Sequence, residues 1–308
     1  MNGVMMKALT FIAIIILGYL LKSLGIAKEK HYKLVSKLVL RCTLPAAIIN
    51  GFVTFRPDPQ FFYVLLLGLG GNLLMIALGF LLQRGATREG KIFYVLNLAG
   101  FNIGCFGLPF AQTVLGPTGV VATCMFDLGN SLMCTGGTYA LLKEVLPLHK
   151  QEKTGISWLG ILKNLLSSVP FDTYTLMLVL IAFNLKLPKP LLDLAGFIAQ
   201  YNGFVSMFML GLMLQLTLDK AKLQMIKKVL LIRHLLCLFF ALGAYYLLPF
   251  SLEIRQVLAI TFLAPITVLA AVFADKLEAN VELSGLAASL SILFSLVLLT
   301  GLLPYLIG

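Results

Sequence analysis

Asp127 and Asn130 stand one helical turn apart in the apolar run VVATCMFDLGNSLM, and Asn97 and Asn102 share another, NLAGFNIGCFGLPF. A carboxyl in so apolar a segment is costly in its charged form unless it is paired or exchanges a proton, which makes Asp127 a candidate for proton coupling. A structural acid that caps a helix fragment, or bonds to Asn102 or a neighbouring hydroxyl, is the alternative. The amide-bearing run also holds Gly104, Gly107 and Pro109, and a second apolar run, TFLAPITVLA, holds Pro265. Proline removes a backbone hydrogen bond and glycine lets the chain leave helical geometry, so both runs predict interrupted helices. The N–H groups that open a half-helix carry partial positive charge and attract anions, a carboxylate being the natural guest. Groups of this kind bind and release a solute. An intramembrane enzyme would need a nucleophile with its base or a metal cluster, and no Ser/His, GxGD or HExxH arrangement is present. No cofactor is implied.

The elements that must position these residues are membrane spans. Of the 308 residues, 59 % are hydrophobic and 12 % charged, against about 25 % charged in ordinary soluble chains, and the charges cluster between long apolar runs. At about 20 apolar residues per crossing, ten spans fit: 4–21, 34–53, 61–82, 92–115, 119–142, 165–183, 191–216, 229–248, 257–274 and 281–306. The first is followed by Lys22, Lys28 and Lys30 instead of a small-residue cleavage site, which argues against a secretory signal. Cys42, Cys105, Cys124, Cys134 and Cys237 lie in apolar stretches without metal-ligand spacing and read as buried packing. The net charge of +11 is explained by topology and not by nucleic acid, since no basic-aromatic patch accompanies it. Of 24 Lys and Arg, only Lys7, Arg56, Lys186, Lys189 and Arg255 fall on one set of alternate segments; the rest, Arg233 included, fall on the other. That bias places both termini outside a cell membrane crossed many times.

The longest hydrophilic stretch, 143–163, divides the chain into a first five-helix half, 1–143, a cytoplasmic linker, 144–164, and a second half, 165–308. Five is odd, so the second half enters from the opposite face: an all-α membrane protein built as a 5+5 inverted repeat. The interruptions at 101–104 and Pro265 both fall in the fourth helix of their half, about 15 Å deep at 1.5 Å per residue, and paired breaks of this kind mark a transporter's binding site. Gln200, Asn202, Ser206 and Gln215, with Ser289, Ser291 and Ser295, read as groups that bond helix to helix.

In order and spacing, LGYLLKSLGI, LVLRCTLPAAIING, FNIGCFGLPFAQTVLG, SMFMLGLML and APITVLAAVFADKLEANVELSGLAASLSILFS resemble the auxin efflux carrier family, which includes plant PIN auxin exporters and bacterial malate and malonate permeases. The resemblance covers essentially the whole chain. It implies unwound, crossing fourth and ninth helices and a mobile core moving against a scaffold. The family's crossover asparagine corresponds to Asn102 and its second crossover proline to Pro265. Phe101 stands where plant relatives often carry proline, and Ile266 where an amide is common, so backbone and Thr267 replace that amide. The long cytoplasmic loop of many plant carriers is absent. The expected substrate-binding set is Asn102, Ile103, Gly104, Pro265, Ile266, Thr267 and Asn130, with Asp127 for coupling and Gly107 and Pro109 as helix-break residues. The expected activity is alternating-access transport of a small organic anion. Proton and bilayer are further partners, and a homodimer is an allowed assembly. The runner-up is a sodium-coupled carrier of the bile-acid symporter or Na+/H+ antiporter type, followed by a channel or sensor.

Overall fold

Apolar segments in lipid must satisfy their own backbone, and helices do so within one segment. The structure, a computed structural model, describes residues 2–53, 55–147, 156–216 and 220–307. In chain order these form α1 (Asn2–Ser23), α2 (Glu29–Leu38), α3 (Leu44–Phe52), α4 (Pro59–Leu82), α5 (Arg88–Leu98), α6 (Leu108–Leu132), α7 (Thr138–Val145), α8 (Trp158–Leu165), α9 (Val169–Ala182), α10 (Lys189–Ala199), α11 (Asn202–Met213), α12 (Lys220–Leu247), α13 (Leu252–Phe262), α14 (Leu269–Lys276) and α15 (Val281–Ile307). Among the described residues, six helical stretches are long and apolar enough to cross a membrane. Two bent pairs, α8 with α9 at 84° and α10 with α11 at 44°, bring the total to eight if each pair is one span. The sequence expectation of ten exceeds this for a physical reason. At 92–115 and 257–274 the backbone leaves helical geometry part-way, so α5, α13 and α14 are each too short to cross alone.

Three π turns widen the helices, at Val39–Thr43, Ile103–Gly107 and Met133–Gly137. Two of them precede prolines. A helical proline clashes with the carbonyl four residues earlier and brings no N–H; for Pro45 and Pro109 those carbonyls belong to Arg41 and Cys105, both inside π turns. There Leu44 and Leu108 bond to Val39 and Ile103, five residues back. Gly107 and Pro109, expected as helix-break residues, therefore lie in helical backbone, with Gly107 at φ −62°, ψ −45°. The break falls about two turns earlier, at Gly100 (φ +78°). A second discontinuity, Gly116 (φ +64°, ψ −148°) before Pro117, divides α6 into two limbs.

The segment 144–164 also departs from a plain linker. Residues 148–155 lie outside the described residues, but α8 forms at its end, opened by Ser157, whose Oγ accepts from the Gly160 N–H at 3.1 Å. Ile161 and Leu165 are buried while Trp158 and Leu159 are 69 % and 77 % exposed. A short helix with an apolar, tryptophan-bearing outer face suits the membrane interface.

Helix contacts sort into two groups. α1, α3, α9, α10 and α11 pack among themselves, as do α4, α5, α6, α12, α13, α14 and α15, with α3 against α6 and α1 against α15 joining the groups. The α4–α6 seam is among the closest, as is that of α1 with α11. Gly68 and Gly129 each face the other helix's main chain, at Phe126 and Leu65, so any Cβ would strike a carbonyl oxygen. This fit brings Asn72 of α4 alongside Asn130 of α6. Gly129→Ala is expected to lower the thermal midpoint of the detergent-solubilised protein by overpacking, at a cost of about 1–3 kcal/mol. Gly70→Ala, where nothing lies within 4 Å of the new Cβ, is the control and should not lower it.

Candidate functional site

Two half-helices that end inside a membrane leave N–H groups at their starts and carbonyls at their ends without intrahelical partners. Here the unwound strands solve part of the problem by pairing with each other. Phe101 and Ile266 form an antiparallel bridge, and the Asn102 N–H donates to the Pro265 carbonyl at 2.9 Å. The Ile266 N–H is taken by Ser291 Oγ at 3.1 Å from α15. Asn130 of α6 does the same for the first strand: its Oδ1 accepts from the Phe101 N–H at 3.1 Å and its Nδ2 donates to the Phe101 carbonyl at 2.9 Å. Asn72 Oδ1 accepts from the Gly100 N–H at 2.7 Å, and Asn72 Nδ2 donates to Asn130 Oδ1 at 3.0 Å. Behind the strands, the Phe101 ring meets Phe126 and Phe262 edge-on, both at 5.8 Å between centroids.

A cavity of about 360 Å³ opens on the side where the second half-helices begin. Ile103, Gly104 and Cys105 line it from one N-terminal end, and Thr267, Val268 and Leu269 from the other. Asn102 lines it as well; the residue is 6 % exposed, and its Nδ2 is buried with no hydrogen-bond partner in the protein. Asp127 borders the same space, accepting from Asn130 Nδ2 at 2.8 Å on Oδ1 and from Tyr174 Oη at 2.7 Å on Oδ2. Lys276 stands at the margin near the Tyr139 and Phe273 rings, and also lines an adjoining 210 Å³ cavity with Arg88 and Lys143.

The structure thus gathers Asn102, Ile103, Gly104, Asp127, Asn130 and Thr267 around one cavity. Pro265 and Ile266 stand behind it and contribute backbone to the strand pair. Gly107 and Pro109 do not line it, and Asn97 turns away, its Nδ2 donating to the Phe93 carbonyl and to Ser284 Oγ. Ser289 ties α15 to the residues that follow α11, its Oγ accepting from the Gln215 N–H at 3.1 Å. Cys105 and Cys134, read as inert packing, line the cavity.

Three residues carry more than the sequence disclosed. Asn72 and Tyr174 sit in largely apolar helices and find partners distant in the chain. Arg233 is the largest surprise. Assigned by sequence to a basic cytoplasmic segment, it sits in the middle of α12 with no exposure at all, and its guanidinium donates to the carbonyls of Leu98, Gly100 and Ala264.

A sequence profile of the family described as membrane transport protein matches residues 3–164, just over half of the chain. The chain belongs to that family. It is the auxin efflux carrier family that the motifs resemble, and its members are membrane transporters rather than enzymes. No curated protein matches this transporter's sequence.

Asn130 and Asn102 should separate in their effects on folding. Asn130→Ala strands the Phe101 N–H, at about 1–3 kcal/mol for a buried group, while the Phe101 carbonyl keeps the Ile103 N–H at 2.9 Å, and should lower the thermal midpoint. Asn102→Ala removes a side chain with no protein partner and should leave the midpoint close to that of the unmodified transporter.

Proposed function

We propose that this transporter carries a small organic anion, such as a carboxylate, across the cell membrane by alternating access. In this reading ten spans form two inverted five-helix repeats, 1–143 and 165–308, joined by the cytoplasmic segment 144–164, with both termini outside. The interrupted spans are α5 with the first limb of α6, and α13 with α14. The observation that carries the reading is the unpartnered Asn102 Nδ2, buried beside two half-helix N-terminal ends in one small cavity. An orphaned buried donor costs about 1–3 kcal/mol, and a carboxylate would satisfy it together with the free N–H groups. Lys276, Lys143 and Arg88 at the neighbouring cavity would raise the local concentration of anions before entry. Those cations lie on the face assigned to the cytoplasm, so the arrangement corresponds to an inward-facing state.

Asp127 supplies the coupling. Its bond to Tyr174 runs from α6 to α9, between the two helix groups, so relative movement of the groups must break it. An anion seated at the N-terminal ends adds like-charge repulsion to the Asp127 carboxylate, and protonation relieves it. Substrate and proton therefore bind together.

Transport in proteoliposomes tests this directly. Saturable uptake with counterflow of a carboxylate is expected, and Asn102→Ala should abolish it while the protein still inserts and folds. Channel-like flux without counterflow, or unchanged uptake in Asn102→Ala, would remove the crossover cavity from the mechanism. Asp127→Asn should keep substrate exchange but lose acceleration by an inward proton gradient; accumulation that still follows the gradient would make Asp127 purely structural.

A further inference from the structure

Pairing between the two unwound strands leaves the carbonyls at the ends of α5 and α13 unanswered. The end of a helix carries roughly half a negative charge, and two such ends converge here. In carriers with broken helices, unwound carbonyls and half-helix C-terminal ends are where a coupling sodium ion is held. In this chain the same kind of cradle is filled by a side chain. The Arg233 guanidinium reaches the carbonyls of Asn97 (3.5 Å), Leu98 and Gly100 (2.9 Å) at the end of α5, and of Ala264 (3.3 Å) after α13. It lies over the Phe101 ring at 5.0 Å, and among the described residues it has no carboxylate partner. An uncompensated cation at this depth is normally prohibitive. It persists here because helix-end carbonyls surround it and serve as its counter-charge.

We propose that Arg233 is a tethered resident cation that occupies the position of a coupling metal ion, so that the crossover is electrostatically complete without sodium. Arginine suits the task because it stays charged when buried and its planar fork reaches carbonyls of two separate segments at once. Two consequences follow for the anion site, whose assignment above this inference takes as given. No cation-sized cradle is left for sodium to enter. With the negative ends neutralised on one side of the crossover, the positive ends face the cavity uncompensated and favour an anion. One guanidinium bound to both half-helix pairs also ties them into a single moving unit. Arg233 is thus a positioning residue and touches no substrate.

The test compares thermal midpoints of the full-length, detergent-solubilised protein in sodium chloride and in choline chloride of equal ionic strength. The wild-type midpoint should be the same in both. Arg233→Ala should fall by several degrees and recover a substantial share of the loss in millimolar guanidinium chloride, which should leave the wild type unmoved. Arg233→Lys, charged but with a narrower reach, should fall between them. Sodium-specific stabilisation of the wild type would overturn the assignment. So would a loss in Arg233→Ala that guanidinium does not restore, which would leave Arg233 as packing. If Arg233→Ala cannot be purified, the wild-type comparison and Arg233→Lys still decide. None of these measurements needs a transported substrate, so a failure to see uptake in any salt would count against the anion-transport reading and not against the resident cation.

Discussion

Main chain that is neither helix nor sheet cannot survive at membrane depth unless each of its polar groups finds a partner. Everything at the centre of this transporter follows from that constraint. Two spans are interrupted, and their unwound strands satisfy one another where Phe101 meets Ile266 and Asn102 meets Pro265. What the strands cannot supply comes from amide and hydroxyl side chains on three other helices: Asn72 on α4, Asn130 on α6 and Ser291 on α15. The remaining groups divide by sign. Carbonyl ends face Arg233, and N–H ends face the cavity. What remains is a cavity lined by the N-terminal ends of two half-helices.

The supporting helices are shaped by the same need. Close approach of α4 and α6 at Gly68 and Gly129 lets two short asparagine side chains span the gap to the strand. The aromatic set of Phe101, Phe126 and Phe262 fills the volume behind it, so the strand has one position and not several. Rigidity on that side contrasts with the opposite wall, where Tyr174 of α9 reaches across to Asp127 by one polar bond. Hydrogen bonds tie α4, α6 and α15 to the two strands, whereas the polar tie from α6 to α9 runs through Tyr174 and Asp127.

Much of this was legible in the residues. Apolar run lengths gave the helices, and the positions of Asn102, Asp127, Asn130 and Pro265 marked the region where the cavity lies. The failures have physical causes. Gly107 and Pro109 look like breakers by type, but a π turn before Pro109 absorbs the clash and the missing N–H, while Gly100, the residue with positive φ, lay unremarked in the same run. Arg233 reads with the lysines before it because one cation near a basic cluster looks like loop charge; the convergence of two distant helix ends explains its burial. Tyr174 and Asn72 gave no signal of their own, since a hydrogen bond across helices leaves no period or spacing in either one. The helix at Trp158–Leu165 was hidden by its position next to a charged stretch, although Ser157 and the apolar residues that follow could have revealed it.

The most direct measurement is electron cryomicroscopy of the transporter with a saturating carboxylate chosen from a panel of mono- and dicarboxylates by thermal shift. The carboxylate should lie in the cavity within hydrogen-bond distance of Asn102 Nδ2, facing the main-chain N–H groups of Gly104 and Cys105 on one side and of Val268 on the other. A carboxylate held instead by Lys143 and Lys276 outside the cavity, with Asn102 Nδ2 still unpartnered, would contradict the crossover as the anion site.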